Sequence, residues 1–132
     1  MKRQMAKLFL LLLLLYLDSN AKHLNKEKVY QEHFCEKLGG VMEYRLKDRT
    51  RVDCLIDEYA IEVDFAPKWA ESIGQSLYYA SKTSRKPAVL LIMEDHKRDL
   101  KYLQRLENVS QKHHINIWII NKEFKIRRHT SL

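Results

Sequence analysis

Proline and cysteine are scarce in this chain: its 132 residues hold two of each. So few prolines, with 45% apolar residues, exclude extended disorder over most of the length. Two cysteines are too few for a zinc site without further ligands, and the six histidines show no metal-ligand spacing. No apolar run reaches the roughly 20 residues of a membrane-spanning helix. No internal repeat or linker divides the chain, whose length suits one domain with a modest core.

What is abundant is positive charge. The formal net charge is +7, which suits a polyanion such as nucleic acid or an anionic surface, the plain alternative being a solvated basic face. Residues 1–21 are expected to be a secretory signal. Lys2, Arg3 and Lys7 open it, Leu8 to Leu17 is apolar, and Ser19-Asn20-Ala21 offers small residues for cleavage after Ala21. No cysteine stands at that point to carry a lipid. Residues 22–132 then form a single exported domain, periplasmic or secreted, and remain basic. In an oxidising compartment Cys35 and Cys54 are expected to bridge, the alternative being two buried free thiols.

The pattern predicts a helix over Asn25–Leu38, capped by Asn25, with Val29, Phe34 and Leu38 on one face beside Tyr30 and Cys35. Gly39-Gly40 ends it. Strands follow at 41–46, 52–56 and 59–65, joined by short polar turns and so forming an antiparallel meander. Pro67 marks the start of a second helix over Lys68–Thr83, with an apolar stripe of Trp69, Ile73, Leu77 and Ala80. Lys86-Pro87 breaks the pattern before a buried strand at 88–93. A third helix spans 99–111, carrying Leu100, Leu103, Leu106 and Val109, and a last buried strand 115–120. The tail from Asn121 reads as frayed. The fold class is α/β, a mixed central sheet with helices on both faces.

Three acids stand out. Asp53 and Glu62 lie on neighbouring strands and can converge on one ion. Glu62 and Asp64 are two apart and share a face of the sheet. Magnesium takes oxygen ligands and only one or two carboxylates from protein, so Asp53 and Glu62 are candidate ligands for magnesium or manganese, with the Val63 carbonyl nearby. Such an ion would activate water for phosphodiester hydrolysis. The competing reading is a solvated acidic face, as for Asp57 and Glu58. Gln75 and Tyr79 lie four apart on the following helix, off its apolar stripe.

Asp53, Glu62 and Gln75-Ser76-Leu77-Tyr78-Tyr79, in this order of elements, resemble the PD-(D/E)XK nuclease superfamily, in particular its RecB-type branch. The resemblance spans about Asn25 to Ile120. It implies a restriction-endonuclease-like core of order αβββαβαβ, metal on Asp53 and Glu62, and Gln75 and Tyr79 supporting the site or contacting substrate. Asp64 stands where the family has its lysine. An acid there can bind metal or accept a proton from water, and Lys68 can supply the missing positive charge. A glutamate on the first helix often assists in this family; Glu32 and Glu36 are candidates, with Glu43 a rival. Lys82, Arg85 and Lys86 could meet phosphates or simply form a solvated turn.

The expected activity is therefore metal-dependent hydrolysis of DNA, in preference to RNA. One alternative is the same fold without catalysis, binding nucleic acid or a protein partner. Another is a small disulfide-bridged structural protein of the cell envelope.

Overall fold

A computed structural model describes residues 23–130; the expected signal segment lies outside them. The elements are α1 (Glu27–Lys37), β1 (Val41–Arg45), β2 (Arg51–Leu55), β3 (Tyr59–Phe65), a 3-10 turn (Ala66–Lys68), α2 (Trp69–Thr83), β4 (Lys86–Met93), α3 (His96–His113), β5 (Asn116–Asn121) and β6 (Ile126–His129). The six strands form one sheet in chain order. β1, β2 and β3 are the antiparallel meander. β3, β4 and β5 run parallel, with α2 and α3 as the crossovers between them. Parallel neighbours require such crossovers. Among the described residues, no helix is long and apolar enough to cross a membrane.

The sheet separates two cores. On one face α1 lays Tyr30, Phe34 and Cys35 against Ile61, Val63, Leu90 and Trp118. On the other, α2 and α3 cover Val89, Leu91, Ile117 and Ile119. β4 and β5 therefore have apolar residues on both sides, which is why they read as continuous apolar runs, whereas β3 turns Glu62 and Asp64 to the α2 side.

Four expectations need correction. The first helix is capped at Lys26 without a side-chain bond, because Asn25 turns its amide to the Tyr30 hydroxyl. Val29 and Leu38 face solvent, and the buried face is instead Tyr30, Gln31, Phe34 and Cys35. Pro87 lies within β4, paired with Ala60; it sits second in the strand, where a missing N–H costs little. The tail does not fray. The Asn121 side chain accepts from the backbone of Glu123 and Lys125, and Phe124 takes a left-handed φ of 59°. That turn sends β6 back along β5. Phe124 and Ile126 then join the α1-side core, and the Arg128 guanidinium lies over Tyr59 and Trp118.

Helix α2 meets the sheet differently from its sequence stripe. Its fully covered positions are Ser72, Ser76, Tyr79 and Ala80. The two serines bond back to carbonyls of their own helix, Trp69 and Ile73, so their hydroxyls are satisfied in a tight interface. Trp69, Ile73 and Leu77 fill the side next to α3.

Cys35 and Cys54 form a disulfide between α1 and β2, and both are fully buried. Gly39, at φ +65°, ends α1. Gly40 lies against the bridge: a Cβ there would meet both Sγ atoms at 2.7 and 2.8 Å and Ile56 at 2.9 Å.

Candidate active site

The site forms where β2 parts from β3. Their ladder holds Cys54 opposite Ile61 and Leu55 opposite Ala60. At Asp53 the side chain replaces the backbone: its Oδ2 accepts the Val63 N–H at 2.8 Å. The Asp53 carbonyl turns to the other face and accepts from the Gln31 amide at 2.8 Å. The same amide donates to Glu43 at 2.9 Å, and Glu43 itself adopts a left-handed φ of 52°. Gln31 on α1 thus secures an irregularity shared by β1 and β2.

Glu62 and Asp64 project from β3 toward α2 and are 6% and 5% exposed. Val63 between them points into the α1-side core, as alternation along a strand requires. Burial drives the Glu62 carboxyl far up, and the charges of Asp53 and Asp64 add to this, so Glu62 holds its proton at neutral pH. Asp53 is also raised, chiefly by burial and against the Val63 hydrogen bond; the Asp53 and Glu62 carboxyls are close enough to share a proton. Asp64 is raised to about 7 by burial and then by the charge of Glu27, with Lys68 opposing. Glu62 Oε2 and Asp64 Oδ2 are buried with no hydrogen-bond partner.

The other expected residues fall as follows. Tyr79 is buried, and its phenol is pushed up to about 12 by burial and then by Glu62 and Asp53. Gln75, one turn earlier, is exposed. Lys68 is exposed, and its charge reaches both Asp64 and Glu27. Glu36 is exposed, and Glu32 is paired with Lys28 at 3.8 Å. The acid that α1 turns to the cluster is Glu27. Its carboxyl is raised by burial, and its charge acts on Asp53, Glu62 and Asp64. Glu27 and Gln31 are the two residues the sequence reading missed. Their spacing of four places both on one face of the helix, which marks a shared face but not what that face meets.

No three His, Cys, Asp or Glu among the described residues converge closely enough to hold a metal ion as they stand. The pair Asp53 and Glu62 still fits a hard cation. Two carboxylates meet magnesium's usual protein share, and a cation would offset the burial and the neighbouring charge that raise the Glu62 carboxyl, and give its Oε2 a partner.

Comparison with known proteins adds a distant similarity. The chain is 29% identical over 82 residues to a protein of Acanthamoeba polyphaga mimivirus that is named for a KilA-N domain. The match covers 62% of this chain and 23% of the viral protein. No protein-family model and no solved structure matches the chain.

Proposed function

We propose that the protein is an exported, metal-dependent nuclease of the PD-(D/E)XK type that hydrolyses phosphodiester bonds in DNA. The observation that carries this reading is the pair of buried acids Glu62 and Asp64 beside the half-buried Asp53 at the parting of β2 and β3, with two carboxylate oxygens left unpartnered. Asp53 has a structural partner in the Val63 N–H, but nothing in the folding of this sheet requires Glu62 and Asp64 beside it, and both are held in surroundings unfavourable to their charge.

Asp53 and Glu62 would hold magnesium or manganese, which supplies Lewis-acid activation of water and neutralises charge on the phosphate. Glu62 would hold the ion as a carboxylate, its proton released to solvent. Asp64, titrating near 7, suits acceptance of a proton from water at neutral pH. Lys68 adds positive charge beside Asp64. Tyr79 stays protonated and can donate from the wall of the cluster. Glu27 adds charge from α1, and Gln31 fixes the Asp53 backbone. Export is supported by the apolar segment at residues 8–17 and by the Cys35–Cys54 bridge. The viral relative shares less than a quarter of its own length, so its name supplies no activity here.

The test is cleavage of linear and circular DNA with magnesium or manganese, by wild type and an Asp53→Ala, Glu62→Ala double variant. Metal-dependent cutting that vanishes in the variant is the expected result. A second reading, a nuclease fold that binds nucleic acid without cutting it, is favoured by Asp64 at the position of the family's lysine. It is the conclusion if neither protein cuts and both bind DNA equally.

A further inference from the structure

A groove of about 490 Å³ opens between β1, the β1–β2 turn and the C-terminal end of α2. Arg45, Lys47, Lys82 and Arg85 line it, with Tyr44 among them. Its floor includes Leu46 and Leu55, which pack on the cluster of Val52, Ala60 and Tyr79. Tyr79 in turn lies close enough to Glu62 and Asp53 to feel their charge. One buried phenol therefore neighbours both the acids and the floor of the groove.

The groove is basic and partly aromatic. Against its four cations stands one acid, Asp48, already engaged by the Thr50 backbone, the Thr50 hydroxyl and the Tyr78 hydroxyl. Arg85 donates to the Ile56 carbonyl at 3.1 Å, which fixes its guanidinium at the wall. Tyr44 is 42% exposed on the edge strand, and Tyr78 is 39% exposed with the Lys82 ammonium over its ring. The C-terminal end of a helix repels anions through its own dipole, so attraction for phosphate rests on these side chains.

We infer that this groove binds a single-stranded stretch of nucleic acid, its phosphates on Arg45, Lys47, Lys82 and Arg85 and one unpaired base on Tyr44. The inference deepens the nuclease reading and rests on it for the identity of the ligand. A base reaches an aromatic face only when unstacked from its neighbours, and every base has such a face. The groove thus selects unpaired strands without selecting sequence.

The experiment is fluorescence anisotropy with a labelled oligothymidylate and a labelled blunt duplex, in EDTA so that neither metal nor cleavage contributes. Wild type is expected to prefer the single strand. Tyr44→Ala should weaken that binding about tenfold while Tyr44→Phe retains it. A Lys47→Gln, Lys82→Gln double variant should reduce the salt slope by about 1.4, at about 0.7 per phosphate contact on single strands. Unchanged binding by Tyr44→Ala overturns the inference, as does equal preference for the duplex. Displacement by inorganic polyphosphate regardless of Tyr44 would mark a general polyanion contact and also overturn it. The two readings fail separately. DNA cutting with unaltered Tyr44→Ala binding removes the groove and keeps the nuclease, whereas Tyr44-dependent binding without any metal-dependent cutting does the reverse.

Discussion

The Gln31 side-chain amide donates to the backbone carbonyl of Asp53 across 2.8 Å, from one face of the sheet to a residue whose carboxylate serves the other. Helix α1 thereby controls how the candidate ligand is presented, although only Glu27 of that helix reaches the acids by charge. Gln31→Leu is expected to cost about 1–3 kcal/mol, the usual result of leaving a buried carbonyl unpaired. It should lower DNA cleavage more than the stability loss accounts for. Gln31→Glu separates the electrostatics from the packing: it should be worse than leucine at pH 8 and milder at pH 4. Urea unfolding and cleavage rates measure both.

The raised carboxyl of Asp64 makes a stability prediction with a definite sign. Its folded value of about 7 lies above its ordinary 3.8, so the folded chain binds the proton more tightly than the unfolded one. The contribution is fully present below about pH 4 and is lost as pH rises through 7. Asp64→Asn cannot ionise, so it should unfold at a higher urea concentration than wild type at pH 8 and at a similar one at pH 4. Equal midpoints at pH 8 would remove the burial penalty inferred for this group.

Divalent ions should reverse that loss. At pH 7.5, magnesium or manganese at 100 times its dissociation constant should stabilise the protein by about 2.7 kcal/mol. Glu62→Gln should abolish most of the effect, and calcium serves as the control for size selectivity. Thermal unfolding with and without chelator gives the reading, whether or not the protein cuts DNA.

Gly40→Ala should destabilise by about 1–3 kcal/mol, the range for forcing an atom into a filled core, because both sulfurs and Ile56 stand within 3 Å of the new methyl. The penalty should shrink in a Cys35→Ala, Cys54→Ala background, where that space opens. A double-mutant cycle on unfolding free energies isolates the coupling.

Much of this molecule was legible in its sequence. Acids at 53, 62 and 64 announced themselves because strand alternation fixes which side chains share a face, and short turns fix which strands are neighbours. The bridge between Cys35 and Cys54 followed from packing the first helix near the second strand. Gln31 was not legible: a polar residue on a helix looks solvated until the sheet below it offers a carbonyl out of register. That displacement arises from Asp53 capturing the Val63 amide, a side-chain event that periodicity does not encode. Glu27 was hidden for a related reason, since the first turn of a helix reads as a place for an acid in any protein. The last strand was missed because its charged residues, Arg127 and Arg128, concealed Phe124 and Ile126, the two apolar residues that commit the turn at Asn121 to the core.

The disulfide has a further consequence for resistance to cleavage. The turn from Lys47 to Thr50 is exposed throughout and carries Lys47 and Arg49, a natural target for proteases that cut after basic residues. That turn lies inside the loop closed by Cys35 and Cys54. A chain nicked there remains one covalent molecule, with the Asp53 strand still attached to the Gln31 helix, and separates into two fragments only on reduction. Such damage would pass unnoticed on a non-reducing gel, and the cut protein would keep its carboxylates in place.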